Sequence, residues 1–317
     1  MKIVAMEPLG VDRSLIDSLA KPLEQAGHTL TYYEQRETDT AKLIDRIRDA
    51  DILIVANQPL PAEAVEACPN LKMIAVAFTG VDHIPLETCK ARGIKVSNAA
   101  GYSTNAVAEL AFGLMISLYR SIPACDQRAR TGGTKDGLVG PELKGKTMGI
   151  VGTGAIGSRV AEIASVFGCK LLAYSRTVKP ALEQKGVHFV SLEELLRESH
   201  IDTLHVPCTD ETRGMIGKEQ LALMKPTAVL INTARGPVVD NAALADALNA
   251  GQIAGAGLDV FDMEPPIPQD YPLLHAKNTV LTPHAAFATK EAMIARAHIT
   301  FDNVTGYLDG KQINVIL

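Results

Sequence analysis

Short runs of consecutive apolar residues alternate with longer segments of helical periodicity along the whole chain. The runs are rich in Ile, Val and Ala and are nearly continuous, as expected for parallel strands covered on both faces. Residues 13–25 show the helical pattern between two such runs, and Gly27 follows as a C-terminal stop. Strands that alternate with helices in this way predict an α/β fold built from βαβ units.

Ten apolar runs are predicted to be strands, and they fall into two series separated by a long apolar helix over residues 105–120. The first series comprises residues 2–6, 51–55, 71–78 and 93–97. The second series comprises residues 147–151, 170–174, 201–206, 228–232, 253–260 and 279–282. The glycine-rich stretch 131–137 is predicted to be a surface loop. The last helical segment, 290–307, has no new strands to cover, and we expect it to return to the first series.

Composition places the chain among ordinary globular proteins. Its 317 residues are 47% hydrophobic and 21% charged, and the length fits about two domains at ~150 residues each. Lys and Arg total 31 against 36 for Asp and Glu, a net charge of −5. This balance lacks the basic surface that phosphate-backbone binding requires, so nucleic acid is not an expected partner.

Neither a membrane nor a structural metal is expected. No apolar run approaches the ~20 residues needed to span a bilayer, and the N-terminal run 2–6 is too short for a secretory signal. The five cysteines are scattered and form no CxxC pair, which favours free thiols in a reducing, cytoplasmic compartment. They are Cys68, Cys89, Cys125, Cys169 and Cys208.

A Gly-x-Gly-x-x-Gly turn follows the predicted strand 147–151 and precedes an amphipathic helix predicted over 158–167. In this context Gly152 allows the tight turn, and Gly154 lets the backbone approach a pyrophosphate. Gly157 lets the helix pack closely on the strand. The free N–H groups and partial positive charge of the helix N-terminus favour phosphate. The sequence therefore predicts a dinucleotide-binding domain.

The next strand, 170–174, ends in Ser175-Arg176-Thr177, where an acid that binds the adenosine ribose of NAD is expected. A carboxylate would repel a 2′-phosphate, whereas these three side chains can donate hydrogen bonds to one. The planar guanidinium of Arg176 matches phosphate geometry. We therefore expect NADP to be preferred over NAD, although NAD remains possible.

Three polar residues follow the last three predicted strands: Arg235, Glu264 and His284. Ligands of doubly wound sheets bind at the carboxyl ends of the strands, so these side chains are expected on the edge that carries the glycine turn. Arg235 could hold a carboxylate and its neighbouring carbonyl, and His284 could exchange a proton with the substrate oxygen. Glu264, hydrogen-bonded to His284, would fix its tautomer and favour its protonated form. Asp259 and Asp262 compete for this role, and Glu264 is favoured because the two prolines that follow it make a stiff turn. Together, these three side chains and a nicotinamide nucleotide could reduce a 2-oxo acid.

The chain resembles the D-isomer-specific 2-hydroxyacid dehydrogenases along nearly its whole length. The motifs that carry the resemblance are TGVDHI (79–84), TNAVAE (104–109), GTGAIG (152–157), HVPCT (205–209), NTARG (232–236), the segment 259–265 and PH (283–284). The resemblance implies a nucleotide-binding, doubly wound parallel sheet (99–287) inserted into a flavodoxin-like substrate domain (1–98 and 288–317). Family members are usually homodimers.

The same resemblance assigns roles to individual residues. Arg235, Glu264 and His284 would be the catalytic set, and the backbone N–H groups of Phe78, Thr79 and Gly80 would bind the substrate carboxylate. The residues implied to line the cofactor site, besides the glycine turn and the Ser175 segment, are Thr104, Ala155, Ile156, Val206, Pro207, Thr212, Thr233, Ala234 and Asp259. The expected activity is hydride transfer between NAD(P)H and a small 2-oxo acid such as glyoxylate or hydroxypyruvate, giving a D-2-hydroxy acid.

Other activities within the same fold remain open at this point. A dehydrogenase acting on formate or phosphite is disfavoured by the Glu264–His284 pairing. The chain lacks an extension after Leu317, which argues against the longer phosphoglycerate dehydrogenases but not the shorter ones. A corepressor-like protein that senses nicotinamide nucleotides can keep the same fold, and fold alone does not exclude it.

Overall fold

The computed structural model describes residues 1–263 and 266–317, which divide into two compact units. We name the two units after the roles predicted from the sequence: the substrate-side unit comprises Met1–Ser103 and Ala288–Leu317, and the nucleotide-side unit comprises Thr104–Phe287. These bounds place residues 99–103 with the first unit, although the sequence predicted them in the second. The functional roles of the two units remain predictions.

The substrate-side unit is a five-stranded parallel sheet with helices packed on it. Its strands are β1 (Lys2–Ala5), β2 (Thr29–Tyr32), β3 (Ile52–Val55), β4 (Met73–Val76) and β5 (Lys95–Asn98). Its helices are α1 (Arg13–Gln25), α2 (Thr40–Ile47), α3 (Ala62–Glu66), α4 (Leu86–Ala91) and α12 (Lys290–Leu308). The strand order β2-β1-β3-β4-β5 is the flavodoxin-like order, and α12 packs on β4, β5 and α1.

The nucleotide-side unit contains a seven-stranded parallel sheet. Its strands are β6 (Thr147–Val151), β7 (Lys170–Tyr174), β8 (Val187–Phe189), β9 (Ile201–Leu204), β10 (Val229–Asn232), β11 (Gly255–Leu258) and β12 (Thr279–Leu281). Its helices are α5 (Thr104–Tyr119), α6 (Ile122–Arg130), α7 (Ala155–Val166), α8 (Pro180–Glu183), α9 (Leu192–Glu198), α10 (Lys218–Leu223) and α11 (Asn241–Asn249). The order β8-β7-β6-β9-β10-β11-β12 is that of a doubly wound dinucleotide-binding sheet.

The α/β architecture and the two parallel sheets confirm the predicted fold class. The central strands are buried on both faces, which explains their continuous apolar sequences: all four residues of β3, β4, β9 and β10 are buried. Helix α7 begins at Ala155, three residues earlier than predicted, because Gly154 already serves as its N-cap. Its first turn therefore includes Gly157.

Two strands were not predicted from the sequence, and both lie at sheet edges. Strand β2 alternates exposed and half-buried residues, and β8 is only three residues long with one buried residue. An edge strand packs on fewer neighbours, so it does not need the apolar run that marks a central strand. Helix α6 was also missed because none of its residues is buried, which leaves no apolar stripe to detect.

Within residues 1–263 and 266–317, no single helix is long and apolar enough to cross a membrane. Helices α5 and α6 meet that length and composition only when they are joined across a bend of 59°. Half of the sixteen residues that form α5 are buried.

A carboxyl group that the sequence did not single out lies in the core of the nucleotide-side sheet. Asp202, on β9, is fully buried beside Gly149 of β6, and neither carboxyl oxygen has a hydrogen-bond partner. Burial raises the pKa of Asp202 well above its ordinary value, because the charged form loses its hydration, and the nearby Ser199 hydroxyl and the charge of Lys225 oppose this effect only in part.

This burial makes stability depend on pH. Because the folded-state pKa of Asp202 is raised, its contribution to stability is present below the unfolded-state pKa and is lost as the pH rises through the folded-state pKa. Between these two pKa values, we expect the free energy of unfolding of Asp202→Asn to rise relative to that of the wild type by about 1.4 kcal/mol for each pH unit. Urea unfolding at pH 5, 6.5 and 8 measures the difference. The control is Asp210→Asn, because Asp210 is exposed. If the difference in unfolding free energy between Asp202→Asn and the wild type does not change with pH and equals that of the control, the account is contradicted.

Candidate functional site

The loops that follow the strands of the nucleotide-side sheet share one edge, because all of its strand pairs are parallel. The glycine turn follows β6, the Ser175 segment follows β7, and the HVPCT segment follows β9. Arg235 follows β10, Asp259 follows β11 and His284 follows β12. The candidate residues of this unit therefore lie along the carboxyl edge of one sheet, where dinucleotides bind in such folds.

The glycine turn has the geometry that the motif predicts. Gly152 has a φ of 95°, and a Cβ there would lie 2.8 Å from the carbonyl oxygen of His205. A Cβ on Gly157 would collide with the carbonyl oxygen of Gly152, so helix α7 packs on the turn only with glycine at this position. A Cβ on Gly154 would meet nothing within 4 Å, so the turn is open on that side. The open side leaves room for a pyrophosphate at the N-terminus of α7.

Two threonines fit a polar ligand at this edge. Thr153, after β6, and Thr233, after β10, are buried, and neither Oγ1 has a hydrogen-bond partner. Buried hydroxyls without partners are costly and call for an explanation. A dinucleotide bound along the edge would supply that partner, and the open turn at Gly154 would admit its phosphates. The residues present therefore fit the cofactor that the motif implies.

His205 lies on the same edge but is not suited to proton transfer. Its Nε2 lies 2.9 Å from Thr203 Oγ1, and its Nδ1 is shielded from solvent. Desolvation lowers the pKa of His205 to about 3, so the ring is neutral at physiological pH. Its backbone does contribute, because its carbonyl oxygen flanks Gly152.

The segment after β7 presents polar groups to solvent. Ser175 is half-buried, whereas Arg176 and Thr177 are exposed. The Arg176 guanidinium lies 3.8 Å from the Glu211 carboxylate, and both side chains are largely exposed. Sequence reasoning missed Lys179, whose Nζ donates to Ser158 Oγ at 3.2 Å in the first turn of α7. A cation at this position adds positive charge beside the phosphate turn.

The HVPCT segment is held in shape by one hydroxyl. Thr212 Oγ1 donates to the Pro207 carbonyl at 2.6 Å and accepts from the Thr209 N–H at 2.8 Å. Val206 packs against Gly152, where its Cγ1 lies 2.8 Å from the position of an added Cβ. Thr212 is thus placed to shape the loop, and Thr104 is the first residue of α5.

Arg235 sits on a tightly packed turn. Asn232, the last residue of β10, donates from its side chain to the Arg235 carbonyl at 2.9 Å and accepts from the Ala234 N–H at 3.0 Å. A Cβ on Gly236 would collide with the Phe261 carbonyl, so only glycine lets this turn approach the loop after β11. The Arg235 Nη1 donates to the Ala234 carbonyl at 2.8 Å, and the residue is half-buried.

The turn that carries His284 is anchored to Asp259. One carboxylate oxygen accepts from Thr282 Oγ1 at 2.6 Å and from the Ala285 N–H at 2.8 Å. The other accepts from the Ala286 N–H at 2.9 Å, and the Asp259 carbonyl accepts from the His284 N–H at 2.8 Å. Asp259 is fully buried, and burial raises the pKa of its carboxyl group against the opposing effect of these bonds.

The backbone of His284 is strained. Its φ of 55° lies in the left-handed region, which a residue with a Cβ adopts at a cost of about 1–2 kcal/mol. The bonds from the flanking residues to Asp259 hold this conformation. The imidazole packs edge-on against Phe287, with ring centroids 5.5 Å apart. Strain of this kind persists where surrounding contacts over-determine the conformation, often at functional sites.

Glu264 lies outside the described residues, so its predicted partnership with His284 stays a prediction. The segment just before it is fixed by a buried tyrosine. The Tyr271 hydroxyl donates to Asp262 Oδ1 at 2.6 Å, and its ring packs edge-on against Phe261 at 5.8 Å. Burial is the main cause that raises the pKa of Tyr271, so it remains a hydrogen-bond donor at physiological pH.

The predicted carboxylate loop of the substrate-side unit follows β4. Phe78 is buried, Thr79 is exposed and Gly80 is half-buried. The Thr79 carbonyl accepts from Asn98 Nδ2 at 2.7 Å, which fixes the loop to the end of β5. In the part of the chain that the structure describes, the N–H groups of Thr79 and Gly80 donate no hydrogen bond. Two adjacent open N–H groups suit an anion.

No group of three or more His, Cys, Asp or Glu side chains within the described ranges could hold a metal ion. All five cysteines are free.

Known proteins resemble this chain in sequence and in structure. The family profile described as "D-isomer specific 2-hydroxyacid dehydrogenase, NAD binding domain" matches residues 112–286. The hydroxypyruvate reductase of Blautia hydrogenotrophica is 37% identical, covering 100% of this chain and 99% of its own. The glyoxylate reductase of Thermococcus litoralis is 40% identical, covering 95% of this chain and 93% of its own.

A solved structure agrees over the full length. An acyclic imino acid reductase in complex with NADPH and D-Arg has a TM-score of 0.90 and 33% identity, with 100% of both chains covered. The profile, the curated relatives and this structure all extend across the glycine turn and the carboxyl edge that carries Arg235, Asp259 and His284. The chain therefore belongs to the D-isomer-specific 2-hydroxyacid dehydrogenase family.

Proposed function

We propose that the protein reduces small 2-oxo acids, such as glyoxylate and hydroxypyruvate, to D-2-hydroxy acids with a nicotinamide nucleotide. The observation that carries the proposal is the His284 turn, held by the buried Asp259 on the edge that also bears the open glycine turn. Relatives that match nearly the whole chain are named glyoxylate reductase and hydroxypyruvate reductase, which supports this substrate class.

The nucleotide-side unit would hold the cofactor through three groups of residues. The N–H groups of Ala155, Ile156 and Gly157 bind the phosphates, and Thr153 and Thr233 donate or accept at their buried hydroxyls. The residues of the surrounding wall are those predicted above: Thr104, Val206, Pro207, Thr212, Ala234 and Asp259. When bound, the reduced nicotinamide supplies the hydride for the reaction.

The remaining chemistry belongs to side chains and backbone of this chain. The open N–H groups of Thr79 and Gly80, together with Phe78 of the same loop, receive the substrate carboxylate. Arg235 binds the carboxylate and the neighbouring carbonyl oxygen and stabilises the negative charge that develops on that oxygen. His284 donates its proton to the same oxygen during reduction, and Glu264 orients the imidazole.

NADP is proposed as the preferred nucleotide. The strand end after β7 offers a serine, an arginine and a threonine, and no carboxylate stands at Ser175. Lys179 adds a second cation at the first turn of α7. Arg176 is paired loosely with Glu211 at 3.8 Å on an exposed surface, so it can turn to a 2′-phosphate at little cost.

The assembly is proposed to be a homodimer, by analogy with the family. Residues 1–98 and 288–317 would bind substrate, and residues 99–287 would bind the nucleotide. Sedimentation equilibrium tests the dimer directly, because a mass near 33.8 kDa at micromolar concentration would contradict it.

The function itself is tested by NADPH consumption with a panel of 2-oxo acids, using the wild type and His284→Gln. We expect the wild type to reduce glyoxylate or hydroxypyruvate to the D-hydroxy acid. The variant should lose roughly 10²–10⁴-fold in kcat, the usual contribution of a positioned acid, while it keeps its affinity for NADPH. A wild type that binds NADPH but reduces no 2-oxo acid would contradict the proposal and favour a nucleotide sensor.

Asp259→Asn tests how the histidine is positioned. The amide nitrogen of Asn cannot accept from the Ala285 or Ala286 N–H, so a buried donor loses its partner. We expect a loss of about 1–3 kcal/mol in the free energy of unfolding and a roughly 10²-fold loss in kcat. The control is Asp240→Asn, because Asp240 caps α11 and asparagine caps helices equally well. A fall in NADPH affinity that matches the fall in kcat would argue against a positioning role.

Arg176→Ala tests the choice of nucleotide. Loss of one charge-assisted hydrogen bond to a 2′-phosphate should lower kcat/KM for NADPH about 10-fold and barely change kcat/KM for NADH. The exposed Arg197 on α9 provides a matched control, and Arg197→Ala should leave the ratio of the two constants unchanged. Parallel losses with both nucleotides, or a wild type that prefers NADH, would refute the assignment.

A further inference from the structure

The end of strand β5 holds two carbonyl groups of the predicted carboxylate loop. The Ala99 N–H donates to the Phe78 carbonyl at 3.0 Å, and the Asn98 side chain donates from Nδ2 to the Thr79 carbonyl at 2.7 Å. Asn98 is 8% exposed and lies opposite Val76, the last residue of β4, in the register of the sheet. The loop is therefore fixed to the neighbouring strand at two successive peptide groups.

These two bonds set the direction of the open N–H groups. A peptide group is planar and trans, so its carbonyl and its N–H point in opposite directions. The Phe78 carbonyl shares a peptide group with the Thr79 N–H, and the Thr79 carbonyl shares one with the Gly80 N–H. Because both carbonyls are bonded to the end of β5, both N–H groups point away from that strand. Thr79 is exposed and Gly80 is half-buried, so a carboxylate can reach them.

The bond from Asn98 also makes the Gly80 N–H a better donor. Hydrogen bonds in a chain polarise one another, so a carbonyl that accepts a bond makes the N–H of its own peptide group more positive. The Ala99 bond comes from the backbone, whereas the Asn98 bond comes from a side chain. A substitution can therefore remove the Asn98 bond and leave the other in place.

Asn98 is itself fixed by two further asparagines. Its carbonyl accepts from Asn303 Nδ2 on α12 at 2.8 Å, and its N–H donates to the Asn314 carbonyl at 3.1 Å. The Asn314 side chain donates to Oδ1 of the fully buried Asn303 at 2.8 Å. The Asn98 Oδ1 accepts from the Ala100 N–H at 3.3 Å, which sets the orientation of the amide. Both the backbone and the side chain of Asn98 are thus held in the position from which Nδ2 reaches the loop.

We propose that Asn98 is a positioning residue for substrate capture, which directs the Gly80 N–H at the carboxylate of the 2-oxo acid. The inference rests on the proposed function and names the side chain that determines the geometry of its carboxylate subsite. The carboxylate keeps its charge throughout the reaction, so a bond to it is equally strong in the bound substrate and in the transition state. Loss of such a bond weakens substrate binding and leaves the chemical step unchanged.

Asn98→Ala tests this role, because it removes the bond to the Thr79 carbonyl and leaves the backbone bonds of residue 98 possible. With glyoxylate we expect KM to rise roughly 10-fold, the effect of losing one hydrogen bond to a charged group, while kcat stays near the wild-type value. The Kd of oxamate for the NADPH complex, measured by calorimetry, should rise by the same factor, because oxamate carries the same carboxylate. The Kd of NADPH itself should not change.

Gln312→Ala is the matched control, because the Gln312 amide also donates to backbone carbonyls at β5, those of Val96 and Leu317, at 3.1 and 2.9 Å. It should lower the melting temperature without changing the KM for glyoxylate or the Kd of oxamate. If Asn98→Ala does not fold, Asn98→Thr takes its place with the same expected result. Threonine suits a strand, and its hydroxyl lies one bond closer to the backbone than the amide nitrogen of asparagine.

Two results would overturn the inference while leaving the proposed function intact. One is a folded Asn98 variant in which the KM for glyoxylate and the Kd of oxamate equal those of the wild type. The other is a variant in which kcat and the affinity for NADPH fall as far as the affinity for oxamate, as expected of a residue that only stabilises the fold. A wild type that reduces no 2-oxo acid would instead refute the proposed function.

Discussion

The buried carboxylate of Asp259 is the interaction on which the candidate active site depends. It accepts hydrogen bonds from Thr282, Ala285 and Ala286, and its own carbonyl receives the His284 N–H. These four bonds join the ends of β11 and β12 and hold His284 in a left-handed conformation that it would not adopt alone. A histidine proposed to donate a proton to a substrate oxygen needs such an anchor.

Parallel strands explain why scattered residues can act together. Each strand of the nucleotide-side sheet delivers its C-terminal loop to one edge, so a glycine turn, two buried threonines, an arginine and a histidine lie along that edge without being close in sequence. Glycine is required where these loops cross closely: Gly157 against the phosphate turn, and Gly236 against the loop after β11. The substrate-side sheet uses the same arrangement, with open N–H groups after β4.

Sequence reasoning predicted the features that carry a strong local signal. Continuous apolar runs identify the central strands, and the spacing of the glycines identifies the phosphate turn. The edge strands β2 and β8 and the exposed helix α6 have no such signal, because they bury little. Burial of single polar groups was equally hidden: Asp202 and Arg296 lie within elements whose apolar pattern was read correctly, and only tertiary packing shows that their charges face inward. The anchoring bonds of Asp259 depend on contacts between residues more than twenty positions apart, which periodicity does not reveal.

The account is tested most directly by a crystal structure with NADPH and oxamate, an unreactive analogue of a 2-oxo acid. It predicts the pyrophosphate against the Gly154 turn, the analogue's carboxylate on the Thr79 and Gly80 N–H groups, and the His284 imidazole about 3 Å from the oxygen that stands for the ketone. The turn from Thr282 to Ala286 should remain bonded to Asp259. A structure in which His284 points away from the analogue, or in which the nucleotide binds elsewhere, would contradict it.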